Sequence, residues 1–326
     1  MSHAAEQAEA WSEYWAGAAP DSHAVSAAKP GEALSRFWRE TFDDWFKTGG
    51  GSRLVDLACG AGVAAREAAA AAEAAGAAID LTLIDIAEPA LEQARTAAPQ
   101  ASRALVGDAA APPLEAGGTD VLFSQYGVEY AGLEAVKGMA RFVAPGGAVV
   151  ALTHIEGGPL ESECAANLAV LDAMLAADLF ANAEALFQAS FDVETGEIAP
   201  ERIETELGPA YQAAVQASGR AAQADPGQAG DFAMTFLNDM VRLLQNRRAY
   251  DPKDGVSWIR AQGASAKAYR GRMRAMTQAA LSEADAASVV AAWREAGLDA
   301  RDAETFTLAE GEAPCAWRLS ARRTGD

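Results

Sequence analysis

Residues 54–66 read LVDLACGAGVAAR, from Leu54 to Arg66. The apolar run Leu54 to Ala58 breaks at Cys59-Gly60-Ala61-Gly62 and gives way to Ala65, Arg66, Ala68 and Ala69, residues that favour or tolerate a helix. The order is strand, glycine turn, helix. Glycines in such a turn let the backbone approach a ligand closely, and the amides of the new helix point at it. The stretch therefore predicts a nucleotide-like binding site.

Outward from this stretch the pattern alternates regularly. Ile79 to Asp85 reads as a strand, Ala87 to Ala98 as a helix, Arg103 to Gly107 as a short strand and Thr119 to Ser124 as another. Leu133 to Phe142 reads as a helix, Pro145-Gly146-Gly147 as a turn, and Ala148 to His154 as a strand. Strands alternating with helices predict an α/β fold, a doubly wound and mostly parallel sheet. Upstream, residues 5 to 17 carry Trp11, Tyr14 and Trp15 at helical spacing, a loop is expected from Pro20 to Pro30, and Leu34 to Phe46 forms a second helical pattern. From Ile155 to about Leu281 long helical patterns take over, such as Ala165 to Gln188 and Phe232 to Arg248. The α/β character returns with a helix over 284–296 and strands over 300–308 and 315–322. The expected organisation is N-terminal helices over 1–48, an α/β core of 49–154 and 282–326, and a large helical insertion of 155–281.

Composition narrows the function. The 326 residues include 26 basic and 46 acidic side chains, a formal charge of −20, which repels phosphate backbones and anionic membranes. No nucleic-acid or membrane partner is expected. No stretch has the length and apolarity of a membrane span, and the N-terminus lacks a basic region followed by an apolar core, so the expectation is a cytoplasmic protein. Cys59, Cys164 and Cys315 are far apart and odd in number, which predicts free thiols. No metal-ligand spacing is found.

Three ligands compete for the strand, glycine turn and helix. A triphosphate loop needs a lysine after its last glycine, and none follows Gly62. Gly60-x-Gly62-x-x-Ala65 satisfies the dinucleotide pattern GxGxxA, with Asp85 ending the next strand. Asp56, however, lies within the strand before the glycines, where it would repel a pyrophosphate and suit an ammonium. Asp108 ends the third strand, where it could accept a hydrogen bond from an adenine amino group. Further on, Thr119 to Ser124 runs into Gln125-Tyr126-Gly127, and Arg141 to Gly147 leads into the fifth strand.

In this order the residues resemble the class I S-adenosylmethionine-dependent methyltransferases, over about 53–154 and 282–322. The resemblance implies S-adenosylmethionine as cofactor. Asp56, Gly60 and Gly62 would hold its methionine end, with Cys59 at a position where the family accepts small residues or cysteine. Asp85 would bind the ribose, Ile86 would lie against the adenine, and Asp108 with Ala109 would meet the adenine edge. Ser124 and Gln125 would line the floor beside the sulfonium, and Tyr14 and Trp15 fall where an N-terminal helix often covers the cofactor.

For the acceptor side, His154 ends the fifth strand at the edge where open α/β sheets bind ligands, and its intrinsic pKa suits a general base. Tyr126, Glu129 and Tyr130 follow the fourth strand and could face the acceptor, Glu129 as a carboxylate for a cationic amine. His154 and Tyr126 are the catalytic candidates, weighed against a purely structural role for each. The basic stretch Trp258 to Arg274 is expected to neutralise acids such as Glu194, Glu197, Glu201, Glu204 and Glu206 rather than to recognise a ligand. The expected function is methyl transfer to a small-molecule acceptor, with the insertion closing the acceptor pocket or forming a homo-oligomer interface. A nicotinamide-dependent oxidoreductase stays open, as does a cofactor-binding or protein-methylating partner protein.

Overall fold

Leu54, Val55 and Leu57 are apolar on both sides of their strand, as a central parallel strand covered by helices requires. The computed structural model describes residues 3–17, 31–309 and 311–325. The loop expected from Pro20 to Pro30 lies outside the described residues. In chain order the elements are α1 (His3–Gly17), α2 (Gly31–Lys47), β1 (Arg53–Leu57), α3 (Val63–Ala74), β2 (Asp80–Asp85), α4 (Glu88–Ala97), β3 (Arg103–Val106), β4 (Thr119–Gln125), α5 (Leu133–Gly138) and β5 (Val143–His154). Six further α-helical segments follow: α6 (Pro159–Ala176), α7 (Leu179–Thr195), α8 (Pro200–Arg202), α9 (Gly208–Ala224), α10 (Gln228–Gln245) and α11 (Pro252–Ala279). The chain ends with α12 (Glu283–Glu295), β6 (Leu298–Ala300), β7 (Glu304–Phe306) and β8 (Ala316–Arg323).

The strands form one mixed sheet in the order β3-β2-β1-β4-β5-β8-β6, with β7 also pairing β8. From β3 to β5 neighbours run parallel, while β8 is antiparallel to β5 and to β6. The order reverses between β1 and β4. In an open α/β sheet that reversal leaves a crevice beyond the carboxyl ends of the two strands. One face of the sheet is covered by α2 and α3: Leu34, Trp38 and Phe42 are fully buried, and the alanines of α3 allow close approach. Opposite, Trp293 of α12 is buried against Val136 and donates its indole N–H to the Val136 carbonyl at 3.1 Å. A capping box of Ser282 and Asp285 starts α12, each side chain satisfying the other residue's backbone N–H.

The described residues up to Ser162 together with those from Ala275 form one compact unit, and Glu163–Arg274 forms a second, helical one. The second is narrower than the expected 155–281. Its flanks are tied to the sheet, since Ile155 bridges Leu281 and the Leu281 N–H donates to the His154 carbonyl at 2.9 Å. The helical unit packs around buried Phe187, Met240 and Phe236, whose ring stacks on Trp258 at 5.6 Å.

Several expected elements differ. The turn at Pro145–Gly147 lies inside β5, where the β4–β5 register shifts and Gly146 takes a φ of +76°. The helix over 165–188 is two helices, broken where Asp178 adopts a φ of +49°. The strand over 300–308 is two short ones on the partner β8. Among the described residues no single helix is long and apolar enough to cross a membrane.

Candidate functional site

Beyond the ends of β1 and β4 an open cleft is lined from the α/β unit. Its floor is the turn after β1. Ala58 takes a left-handed φ of +55°, which alanine adopts at a cost, and Gly60 and Gly62 follow at +50° and +76°. At Gly60 a Cβ would lie 2.9 Å from the Trp15 ring, so a side chain would separate α1 from the turn. At Gly62 a Cβ would lie 2.9 Å from the Ala94 backbone, and Gly62 does not line the cleft. Its glycine serves the packing of α3 on α4.

Three acids reach the cleft from three strands. Asp56 is 2% exposed and accepts the Ala65 N–H at 3.1 Å in the first turn of α3. Burial pushes its carboxyl well above the usual range, the Ala65 hydrogen bond opposing the shift and the Asp85 charge adding to it. The two oxygens of Asp85 accept the Gly60 N–H at 2.8 Å and the Ala87 N–H at 2.9 Å, which ties the glycine turn to the end of β2. Its pKa is also raised by burial. Asp108 accepts the Ala110 N–H at 2.8 Å and stays partly exposed beside Ala109. Cys59 and Ile86 complete this part of the wall, and burial pushes the Cys59 thiol well up. Cys59, Cys164 and Cys315 are all free and buried.

From β4, Gln125 lines the cleft and its side-chain oxygen accepts the Trp38 indole N–H at 2.6 Å. Ser124 does not. It is fully buried, and its hydroxyl accepts the Val128 N–H at 3.1 Å. Adjacent strand residues point to opposite faces, so Ser124 and Gln125 cannot share one floor. Tyr126 lines the cleft at a left-handed φ of +51°, with its hydroxyl 3.6 Å from the Cys315 sulfur and its pKa raised well up by burial. Gly127 was not among the sequence candidates. A Cβ there would lie 2.6 Å from the Ala58 carbonyl oxygen, so this glycine lets the β1 and β4 ends close on each other. Its one sequence signal is its place directly after the β4 run.

His154 is 1% exposed and lies outside the lining. Glu129 Oε1 accepts both the His154 backbone N–H at 3.0 Å and a hydrogen bond with Nδ1 at 2.7 Å. The imidazole packs behind Tyr126 at 4.6 Å and Tyr130 at 5.6 Å between ring centroids. Glu129 likewise does not face the cleft directly. On the opposite rim α1 packs against α4, with the Gln93 amide donating to the Trp15 carbonyl at 2.8 Å. Trp11 meets Tyr130 at 5.0 Å. Of the two N-terminal helices only α1 lines the cleft; α2 is a core helix whose link to the site is the Trp38–Gln125 hydrogen bond.

The residues suit a cofactor that is cationic and nucleoside-bearing. Asp56 and Asp85 are buried beside each other with no basic side chain in the lining, a pairing that a positively charged ligand relieves. Among the described residues no three His, Cys, Asp or Glu side chains lie close enough together to hold one metal ion.

Residues 54–147 match a family model described as a methyltransferase domain. No curated protein matches the chain. Among solved structures, the plantazolicin methyltransferase BpumL in complex with SAH aligns over 98% of this chain and 96% of its own, at 8% identity and a TM-score of 0.47. An S-adenosylmethionine-dependent methyltransferase from Mesorhizobium loti aligns over 32% of this chain at 28% identity and a TM-score of 0.28, and this chain spans about half of it, 48%. Geranyl diphosphate C-methyltransferase from Streptomyces coelicolor A3(2) aligns over 48% of this chain and 66% of its own, at 14% identity and a TM-score of 0.33. The matched segment opens at Leu54, includes the glycine turn and all three acids, and closes at Gly147, so this part of the α/β unit is a methyltransferase domain.

Proposed function

We propose that the chain transfers a methyl group from S-adenosylmethionine to a small-molecule acceptor. The observation that carries this reading is the convergence of Asp56, Asp85 and Asp108, from the ends of three neighbouring strands, on one cleft beside the Gly60 turn. When bound, S-adenosylmethionine supplies an electrophilic methyl carbon, which an acceptor lone pair attacks in line while the carbon–sulfur pair returns to sulfur. The protein's part is then mainly positioning. Asp56 and the Gly60 backbone hold the methionine end, Asp85 retains lone pairs for the ribose hydroxyls, and Asp108 with Ala109 and Ile86 takes the adenine. Trp15, seated on Gly60, makes α1 a cover over the glycine turn. Gln125 and Tyr126 form the wall next to the reacting methyl, with His154 behind it as a positioning residue. The charge of −20 supports a small molecule over a nucleic acid.

Isothermal titration of the full chain with S-adenosylmethionine and, separately, with NAD tests the reading. Binding of the first and none of the second is expected. NAD binding in its place would overturn it.

A further inference from the structure

The side of the cleft beyond Gln125 is walled by aromatic rings with a carboxylate behind them. Tyr126 and Tyr130 line the cleft, and Trp11 meets the Tyr130 ring at 5.0 Å from the other rim. Directly behind the two tyrosines lies the His154 imidazole, and the Glu129 carboxylate that holds it is 2% exposed. Glu129 uses one oxygen, Oε1, for both of its hydrogen bonds to His154. Its other oxygen, Oε2, and His154 Nε2 are buried without a hydrogen-bond partner. The two hydrogen bonds to His154 thus hold the Glu129 carboxylate in place behind the aromatic wall. A carboxylate in so dry a place projects its field much further than one in water.

The lining itself adds three aspartates and, among the described residues, no lysine, arginine or histidine. An anionic acceptor such as a carboxylate or a phosphate would meet repulsion from every side chain charge around it. A cation would meet aromatic rings, whose quadrupoles attract positive charge, and Glu129 behind them.

We propose that this wall selects an amine, bound as its ammonium, as the methyl acceptor. The inference rests on the methyltransferase reading and names the acceptor class for it. It also accounts for Glu129. An ammonium beside the cofactor's sulfonium places two positive charges together, and the buried carboxylate offsets that repulsion. The ammonium gives its proton to solvent water through the open mouth of the cleft, which leaves the nitrogen lone pair free to attack. His154 acts through Glu129 and the tyrosines as a positioning residue: it fixes the carboxylate behind the rings.

The test is calorimetric titration of the full chain saturated with S-adenosylhomocysteine, using benzylamine, benzyl alcohol and phenylacetate as benzyl probes of similar size and different charge. Benzylamine is expected to bind roughly tenfold more tightly than benzyl alcohol, and phenylacetate more weakly than either. Glu129→Gln should remove most of the amine's advantage while leaving the affinity for S-adenosylhomocysteine unchanged. Should that variant fail to fold, Trp11→Leu on the rim helix reads the same preference and should lower it roughly threefold. Benzylamine binding no tighter than benzyl alcohol, or phenylacetate binding best, overturns the proposal with the cofactor reading intact. Failure of S-adenosylhomocysteine to bind at all removes the cofactor reading, and the proposal with it.

Discussion

In the α/β unit Asp56, Asp85, Glu129 and His154 are withdrawn from solvent, whereas in the helical unit the charged residues stand at the surface in pairs. Arg260 meets Glu184 at 2.7 Å, Arg247 and Arg248 share Glu194 at 2.8 and 3.0 Å, and Arg270 and Arg274 both reach Asp172. Among the described residues, Asn167 and Ser218 are the only buried polar side chains of the helical unit. Asn167 uses its position to accept the Ala229 N–H at the start of α10. Burying a carboxylate without a basic partner costs stability, and a chain that does so repeatedly around one cleft holds those charges for a ligand. Surface pairs cost little and contribute little. The contrast therefore sets the buried charges around the cleft of the α/β unit against paired, solvated charges in the helical unit.

The largest effect is expected at the tie between β2 and the glycine turn. Asp85→Ala removes the acceptor for both the Gly60 and Ala87 amides and, on the proposed reading, for the ribose, and should weaken S-adenosylmethionine binding by roughly 100-fold, about 3 kcal/mol. Affinity within twofold of the parent, measured by calorimetry, would break the link between buried acids and ligand.

A smaller effect of opposite sign on stability is expected at Asp56. Its carboxyl is raised above the unfolded value by burial, so the folded chain holds that proton more tightly than the unfolded one. The stability this contributes is complete below the unfolded pKa and is lost as pH rises through the folded one. Ionisation in that same window is what a cationic ligand needs, so cofactor affinity should rise where stability falls. Asp56→Asn should therefore raise thermal stability at neutral pH, by on the order of 1 kcal/mol, and weaken S-adenosylmethionine binding roughly tenfold. Melting curves and titrations at two pH values check both signs. An unchanged melting temperature together with unchanged affinity would show that this buried charge is held for nothing.

The smallest effect belongs to the helical unit. Arg260→Ala, at a side chain 67% exposed, should leave both the melting temperature and the cofactor affinity where they were. A clear loss of affinity would sharpen the comparison by showing that a surface pair of the helical unit bears on the site.

Legibility followed the range of the interactions. The glycine turn, the alternation of strands and helices, and the acids at strand ends were all visible, because each is set by a few adjacent residues. Asp178 broke a helix that periodicity read as continuous, since a single left-handed residue leaves the apolar spacing almost unchanged. The basic stretch after Trp258 does neutralise acids, but those paired with Arg260, Arg270 and Arg274 are Glu184 and Asp172 on neighbouring helices, not the expected group from Glu197 to Glu206. Helix register alone could not tell which turn faces which.

By itself the sequence determined the sheet's strand order of appearance, the turn that approaches a ligand, and the identity of three acids around it. Hydrophobic period, glycine conformation and strand ends are local properties that any tertiary arrangement must respect. Only the folded structure decided which of two neighbours faces the cleft. It chose Gln125 over Ser124 and Gly60 over Gly62, because facing depends on what packs against the other side. It alone brought Glu129 to His154 across 25 residues and set both behind Tyr126 and Tyr130. A buried contact of that kind exists only where the turn after β4 and the end of β5 are held side by side, and no spacing along the chain encodes it.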